Sequence, residues 1–278
     1  MSPIISIIIP CYNSETTLET TLESVINQDF QDWETIIVND GSNDTTEEIA
    51  LKWVNKDKRF KYFSKDNGGL GKARNYGIER SKGIFILPLD SDNQLIKDFT
   101  QDAVDVFEKN NKVGVVYGDA EYFGERKGPW KVPQYDFKKM LVDNFIDACA
   151  IYRRELWEEV GGYDVNMPFQ GNEDWEFWLA LGVLNVKFYH LNKITFKYFV
   201  SKKSMIRSFS QEMHIANNDY IFKKYSRHYR RQYLDISLML EKKESDYSKN
   251  LKSEKFVIDL FINTFFGFSV FGLYRKSK

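Results

Sequence analysis

The sequence predicts an α/β fold: a mostly parallel, doubly wound central sheet flanked by helices, with a helical appendage at the C-terminus. Three observations predict it. Ile4 to Ile9 is a nearly continuous β-branched run, the pattern of a strand buried on both faces. Strand-like and helix-like segments then alternate to about residue 118, the sequence form of repeated β-α-β units. The first, second and fourth strand patterns each end in a polar turn, and in such sheets ligands bind beyond the carboxyl ends of the strands.

The elements follow in order. Pro10-Cys11-Tyr12-Asn13-Ser14 ends the first strand, because proline cannot continue the ladder. Residues 15–28 read as a helix with Leu18, Leu22, Val25 and Ile26 on one face. Glu34 to Val38 is a second strand and Asn39-Asp40-Gly41-Ser42 a turn. Thr45 and Glu48 have the spacing of a capping box for the next helix. Phe60 to Phe63 is a third strand, and Gly68-Gly69-Leu70-Gly71 opens a helix running to about Arg80. Ile84 to Leu89 is a fourth strand, 95–109 a helix, and Val113 to Tyr117 a fifth strand. Residues 121–170 are loop-rich and aromatic, Asn172-Glu173-Asp174 starts a helix, and 210–245 look helical and charged.

A formal net charge of −1 argues against a general nucleic-acid binder, which needs a basic excess. The two cysteines, Cys11 and Cys149, build neither a zinc site nor a disulfide framework, and fit a reducing compartment. The first apolar run lacks a charged flank and is cut by Pro10, so it reads as a strand and not a signal peptide.

Leu89-Asp90-Ser91-Asp92-Asn93 places two carboxylates where a buried strand emerges. Alternate residues of a strand point the same way, so Asp90 and Asp92 can face one spot. Two anions there need a positive partner, and a divalent cation carrying a diphosphate supplies it. The alternative is a plain polar turn. Lys72 and Arg74 fall in the first turn of a helix, where cations are unfavourable unless an anion lies near; diphosphate is the candidate, solvated side chains the alternative. The glycine-rich turn is neither a dinucleotide fingerprint nor a Walker loop.

These pieces together resemble the large family 2 of inverting glycosyltransferases, which carry the GT-A nucleotide-sugar fold. The matching segments run in order over about residues 4–205: Ile9 to Asn13, Val38 to Ser42, Asn67-Gly68-Gly69 with Ala73-Arg74-Asn75, Leu89 to Asp92, Gly161-Gly162-Tyr163-Asp164 and Asn172-Glu173-Asp174. The resemblance implies that Asp40 accepts the ring N–H of a uracil or thymine base, with Pro10, Tyr12 and Asn13 as the wall beside base and ribose. It puts Arg74 on the nucleotide, Asp92 on Mn2+ or Mg2+, and Asp90 on the ribose or in the metal's water shell, with Ser91 beside them. Asp174 is the implied catalytic base; alone, an acid in a first helical turn would read as macrodipole stabilisation. The chain departs from the family twice. Asn39 stands where an aspartate is usual, and no histidine aligns near residue 200 as a third metal ligand. Trp175 and Trp178 read as core, and Tyr122, Trp130, Tyr135 and Phe169 as lining an acceptor site or packing loops.

The expected organisation is a GT-A catalytic domain over 1–205, with a nucleotide half to about 118 and an acceptor half over 119–205, then a helical extension over 206–278. Residues 256–274 are apolar between Lys249, Lys252, Lys255 and Arg275, Lys276, Lys278, and 197–231 is also basic. That suits an interfacial helix at the inner face of the cell membrane, serving a lipid-linked acceptor; a helix packed on its own domain or a homodimer seam is the alternative. The expected function is metal-dependent transfer of one sugar from a nucleotide-sugar donor, a UDP-sugar first, to a cell-surface glycan or lipid-linked acceptor in the cytoplasm. The competing reading is a non-catalytic nucleotide-sugar or glycan-binding module.

Overall fold

Four parallel strands make the nucleotide-side half of the sheet. β1 (Ile5–Cys11) pairs with β2 (Trp33–Asp40) on one side and β4 (Phe85–Pro88) on the other, and β3 (Phe60–Lys65) extends β2. Every residue of β1, β2 and β4 is buried, as expected for strands covered on both faces. This is a computed structural model, and it describes residues 2–201, 210–266 and 268–273.

Helices α1 (Leu18–Ile26), α2 (Thr46–Lys56), α3 (Leu70–Glu79) and α4 (Phe99–Lys109) follow the strands in the expected alternation. α3 lies close on β1 and β2 because of Gly77: a Cβ there would stand 2.7 Å from Ile8 Cγ2 and 3.0 Å from Val38 Cγ2. The predicted capping box does not form. Thr45 makes no side-chain cap bond; its hydroxyl donates to Glu15 Oε2 at 2.8 Å, while Asp44 Oδ1 accepts the Thr46 N–H at 3.0 Å. The Thr45 N–H that Glu48 would have to reach donates instead to Glu15 Oε2 at 3.2 Å, so both halves of the box are engaged elsewhere.

The second half of the sheet departs from a simple parallel series. β6 (Val113–Gly124) is more than twice the predicted fifth strand and runs parallel to β9 (Lys187–Val200). β8 (Ile151–Arg153) enters antiparallel between β4 and β6. β5 (Gln94–Leu95) pairs with β9, which is why α4 begins at Phe99 and not at 95. β7 (Gly128–Trp130) pairs back on β6. Among the described residues the sheet has nine strands, ordered β3-β2-β1-β4-β8-β6-β9-β5 with β7 on β6. The stretch read as loop-rich thus carries two strands of its own, plus α5 (Phe137–Met140) and α6 (Arg154–Val160). α7 (Glu173–Val183) starts where predicted, and Trp175 and Trp178 are core: their indole N–H groups donate to the Met140 and Ile146 carbonyls at 2.7 and 3.0 Å.

The chain divides into two units, Met1–Ile221 and Phe222–Lys278. The boundary expected at 205/206 lies outside the described residues, as do Lys202, Lys203, Arg207, Tyr274, Arg275, Lys276 and Lys278. α8 (Gln211–Lys224) runs up to and across the division. The second unit holds α9 (Ser226–Leu251) and α10 (Glu254–Phe266). The apolar run is therefore not one helix to 274. Asp259, fully buried, accepts N–H bonds from Val270, Phe271 and Leu273 and the Ser269 hydroxyl at 2.6–2.8 Å, folding the chain back after α10. Burial works against that charge, but these donors outweigh it and hold the carboxyl well below its usual range. No helix among the described residues is long and apolar enough to cross a membrane.

Candidate functional site

The carboxyl edge of β1, β2 and β4 brings the predicted residues together. Asp40 ends β2 beside Lys65 at the end of β3. Its carboxylate binds the Lys65 ammonium and accepts the backbone N–H of Gly68 at 3.0 Å and Gly69 at 2.7 Å. Asp40 is thus first an anchor for the glycine turn. Gly69 sits at φ +93, where a side chain would be strained, and this lets its N–H face the carboxylate. Among the described residues Oδ2 accepts only the Gly69 N–H, and Asp40 lines a cavity of about 490 Å³ together with Pro10, Tyr12, Leu70, Phe169 and Met213. Tyr12 is 54 % exposed at its rim. Asn13 does not line it: its Oδ1 accepts the Asn43 N–H and its own N–H donates to Ser42, both at 2.9 Å, tying the first loop to the second. The departing residue, Asn39, holds the same loop by accepting the Ser42 N–H at 2.9 Å.

A second cavity of about 250 Å³ is lined by Arg74, Asp90, Ser91, Asp92, Asp147, Glu173 and Asp174, with Pro10 and Tyr12 shared between the two. Arg74 corrects the sequence expectation. Arg74 is the fifth residue of α3, just past the first turn, and the anions beside it belong to this chain: Nη2 lies 2.7 Å from Asp90 Oδ1 and Nη1 2.7 Å from Glu173 Oε1. Arg74 is 1 % exposed, and although burial opposes its charge, the two carboxylates hold its proton above the ordinary value. Lys72 is exposed. Ser91 also has a partner within the chain, its hydroxyl 2.7 Å from that of Ser14.

Asp92 is half-buried, and its carboxyl is pushed up to about 7, first by burial and then by the charge of Asp90. A carboxylate under that pressure, with hard oxygen donors and Asp90 two residues away, suits Mn2+ or Mg2+. Among the described residues no three acids, histidines or cysteines gather closely enough to hold a metal unaided. A donor set of two aspartates fits an ion that keeps phosphate and water as its other ligands. His190 is committed elsewhere, its Nε2 3.0 Å from Asp119 Oδ1.

Asp174 lies in the first turn of α7. Its Oδ2 accepts Asn144 Nδ2 at 3.1 Å and its Oδ1 the Trp175 N–H at 2.7 Å. Burial and then the adjacent Glu173 charge raise its carboxyl above the ordinary range, against the pull of Arg74. Sequence reasoning missed Asp147. Burial and then Asp90 raise its carboxyl as well, and one oxygen accepts the Cys149 N–H at 2.9 Å. The only signal was a lone acid inside the apolar run Ile146-Asp147-Ala148-Cys149-Ala150-Ile151. Tyr198 and Phe199 of β9 were missed too and line the same cavity. Of the four aromatic residues expected at an acceptor site, Phe169 lines the larger cavity and Tyr135 stacks on Phe188 at 3.7 Å. Tyr122 stacks on Trp130 at 5.5 Å, and both meet Tyr198 edge-on.

A family model described as glycosyl transferase family 2 matches residues 6–161, more than half of the chain. An uncharacterized glycosyltransferase of Rickettsia typhi is 29 % identical over 217 residues, covering 74 % of this chain and 64 % of that protein. The chondroitin synthase of Pasteurella multocida is 29 % identical over 198 residues, 70 % of this chain and 20 % of its own length. Among solved structures, residues 1–349 of S. aureus TarS in complex with UDP-GlcNAc superpose with a TM-score of 0.64 at 25 % identity, covering 77 % of this chain and 64 % of that one. The chain spans less than two thirds of the length of each of these.

Proposed function

The chain belongs to glycosyl transferase family 2, and on that premise we propose that it is a metal-dependent, inverting glycosyltransferase of the hexosyltransferase type. It moves one sugar from a nucleotide-sugar, a UDP-sugar first, to a hydroxyl of a cell-surface glycan or lipid-linked oligosaccharide. One observation carries this reading: Asp90, Asp92 and Asp174 line a single cavity that shares Pro10 and Tyr12 with the larger one above Asp40. The UDP-GlcNAc in the TarS structure and the polysaccharide named for the Pasteurella relative support it.

In this reading the base and ribose occupy the 490 Å³ cavity, with Asp40 Oδ2 accepting the ring N–H. Asp92 and Asp90 would hold Mn2+ or Mg2+, and the ion would supply positive charge to neutralise the leaving diphosphate, a Lewis-acid role worth several kcal/mol. Asp174 takes the proton of the acceptor hydroxyl as its oxygen bonds the anomeric carbon from the face opposite the leaving group. The bond from that carbon to the diphosphate breaks, the nucleotide leaves with the bonding pair, and the configuration inverts. A base so placed typically contributes about 10² to 10⁴ in rate. The raised carboxyl of Asp174 suits it to receive that proton. Arg74 binds Asp90 and Glu173 and so positions both carboxylates beside the reacting groups. The catalytic domain extends past the expected residue 205 to take in Met213 beside the base cavity, and the helical extension beyond it places the enzyme at the inner face of the membrane or in a homodimer. The test is UDP release from UDP-sugars by the purified protein with and without Mn2+. Absence of release from every donor, with nucleotide binding intact, would favour a non-catalytic binding module.

A further inference from the structure

Phe169 reaches the larger cavity on a segment that another helix holds. Its side chain is exposed and lines that cavity with Tyr12, Leu70 and Met213. An exposed aromatic residue on a surface loop is ordinarily mobile. Here its backbone is fixed on both sides. Its N–H donates to Asn217 Oδ1 at 2.9 Å, and its carbonyl accepts Asn217 Nδ2 at 3.0 Å. The same Nδ2 donates to Asn172 Oδ1 at 2.8 Å, at the residue just before α7. Asn217 is fully buried on α8, and up to Ile221 that helix belongs to the same unit as the cavity. Burying an amide is unfavourable unless its polar atoms are met, and these three bonds use the oxygen and both amide hydrogens. Met213, Asn217 and Tyr220 are spaced to share one face of α8. Met213 lines the cavity, and the Tyr220 hydroxyl donates to Asp164 Oδ2 at 2.8 Å. The residues after Phe169 are tied as well: Gln170 Oε1 accepts the Leu70 N–H and Glu173 Oε2 the Gly171 N–H, each at 2.8 Å. What this scaffold presents to the cavity is the ring of Phe169.

Resting on the nucleotide-sugar reading above, we propose that the flat base of the donor packs against the ring of Phe169, and that Asn217 is the positioning residue that presents that ring. Aromatic faces stack on bases whatever their hydrogen-bonding edge, so Phe169 supplies affinity while Asp40 supplies the choice of base. A ring held in place before the nucleotide arrives loses little freedom on binding, which strengthens the complex.

Calorimetry with Mn2+ present tests this, using UDP and 5,6-dihydro-UDP, whose saturated ring keeps the N–H and both carbonyls but is no longer flat. The wild type should bind UDP about tenfold more tightly than the dihydro compound. Phe169→Ala should weaken UDP by about tenfold and the dihydro compound much less, and Phe169→Tyr should bind UDP within about twofold of wild type. Asn217→Ala should weaken UDP by about threefold or more, yet change it little in the Phe169→Ala background, where no ring is left to position. UDP affinity in Phe169→Ala equal to wild type, or an equal loss for both compounds, overturns the contact. A loss from Asn217→Ala that is the same with and without the ring overturns its positioning role. If Asn217→Ala does not fold, Asn217→Asp, which keeps an acceptor for the Phe169 N–H, replaces it in the same cycle with the same two outcomes. If the wild-type chain binds no UDP at all, the nucleotide-sugar reading itself fails; if UDP binds and removing the ring changes nothing, only this inference does.

Discussion

Arg74 Nη1 lies 2.7 Å from Glu173 Oε1, a bond between two buried side chains 99 positions apart that joins the N-terminal half of α3 to the first turn of α7. The same guanidinium reaches Asp90 at the end of β4. The proposed base, Asp174, is the next residue after Glu173, so this one cation sets the spacing between the metal-side carboxylate and the base.

Replacing Arg74 therefore should destabilise the fold as well as the site. Arg74→Ala leaves the buried Glu173 carboxylate without its cation, and removing one partner of such a pair costs roughly 3–5 kcal/mol. Arg74→Lys keeps the charge but cannot span both acids, and should recover part of the loss. Thermal unfolding of both variants measures it. An Arg74→Ala melting temperature equal to wild type would mean that the bridge contributes nothing.

Asp174→Asn should lower kcat by about 10² or more and leave donor affinity nearly unchanged. Because the folded-state carboxyl is raised, kcat of the wild type should climb with pH through that raised value and level off above it. The variant should lose this limb. Stability moves the opposite way. The folded chain keeps a proton that the unfolded chain releases at its ordinary, lower pKa, so this group's contribution falls as pH rises between the two values. Asp174→Asn should then be at least as stable as wild type at pH 8, measured by denaturant unfolding. A rate that holds while donor affinity falls would make Asp174 a structural cap.

Metal dependence rests on Asp92. Turnover should collapse in EDTA and return with Mn2+ or Mg2+, and Asp92→Ala should remove the metal-dependent part of UDP binding in calorimetry. Undiminished turnover in EDTA would sink the metal assignment.

Asp40 has two jobs, and Asp40→Asn touches both unequally. The amide oxygen can keep the Gly68 N–H, while the NH2 in place of Oδ2 opposes a ring N–H as well as the Gly69 N–H. UDP and thymidine diphosphate should weaken by about tenfold and GDP much less. Equal loss for all three nucleotides would point to a collapsed Gly68-Gly69 turn, which near-UV circular dichroism would report.

The tail gives a separable test. α10 leaves Val257, Ile258, Phe261, Phe265 and Phe266 exposed. The full-length chain should co-sediment with anionic liposomes, less so as salt rises. A chain ending at Glu254 should lose that binding and keep donor hydrolysis. Aggregation, or a shift from dimer to monomer on sedimentation, would make the tail a packing element.

Local pattern determined the strands and helices over the first 118 residues except β5, which exists only through its pairing with β9, and it determined which polar turns would meet at one sheet edge. Strand periodicity and proline or glycine breaks act over a few residues, so Asp40, Asp90, Asp92 and Asp174 could be placed at element ends from the sequence. Contacts between distant segments decided the rest. Arg74 reads as a cation awaiting a phosphate until β4 and α7 bring Asp90 and Glu173 to it. Asp40 reads from the sequence as a base contact alone, and its second role, anchoring the glycine turn, appears only when that turn folds onto its carboxylate. Asp147 carries no motif at all, and reaches the cavity only because β8 enters the sheet antiparallel between β4 and β6, placing the segment before it against α7. Charge pairing acts through space, and the positions that pair here lie too far apart in the chain for any periodicity to record them.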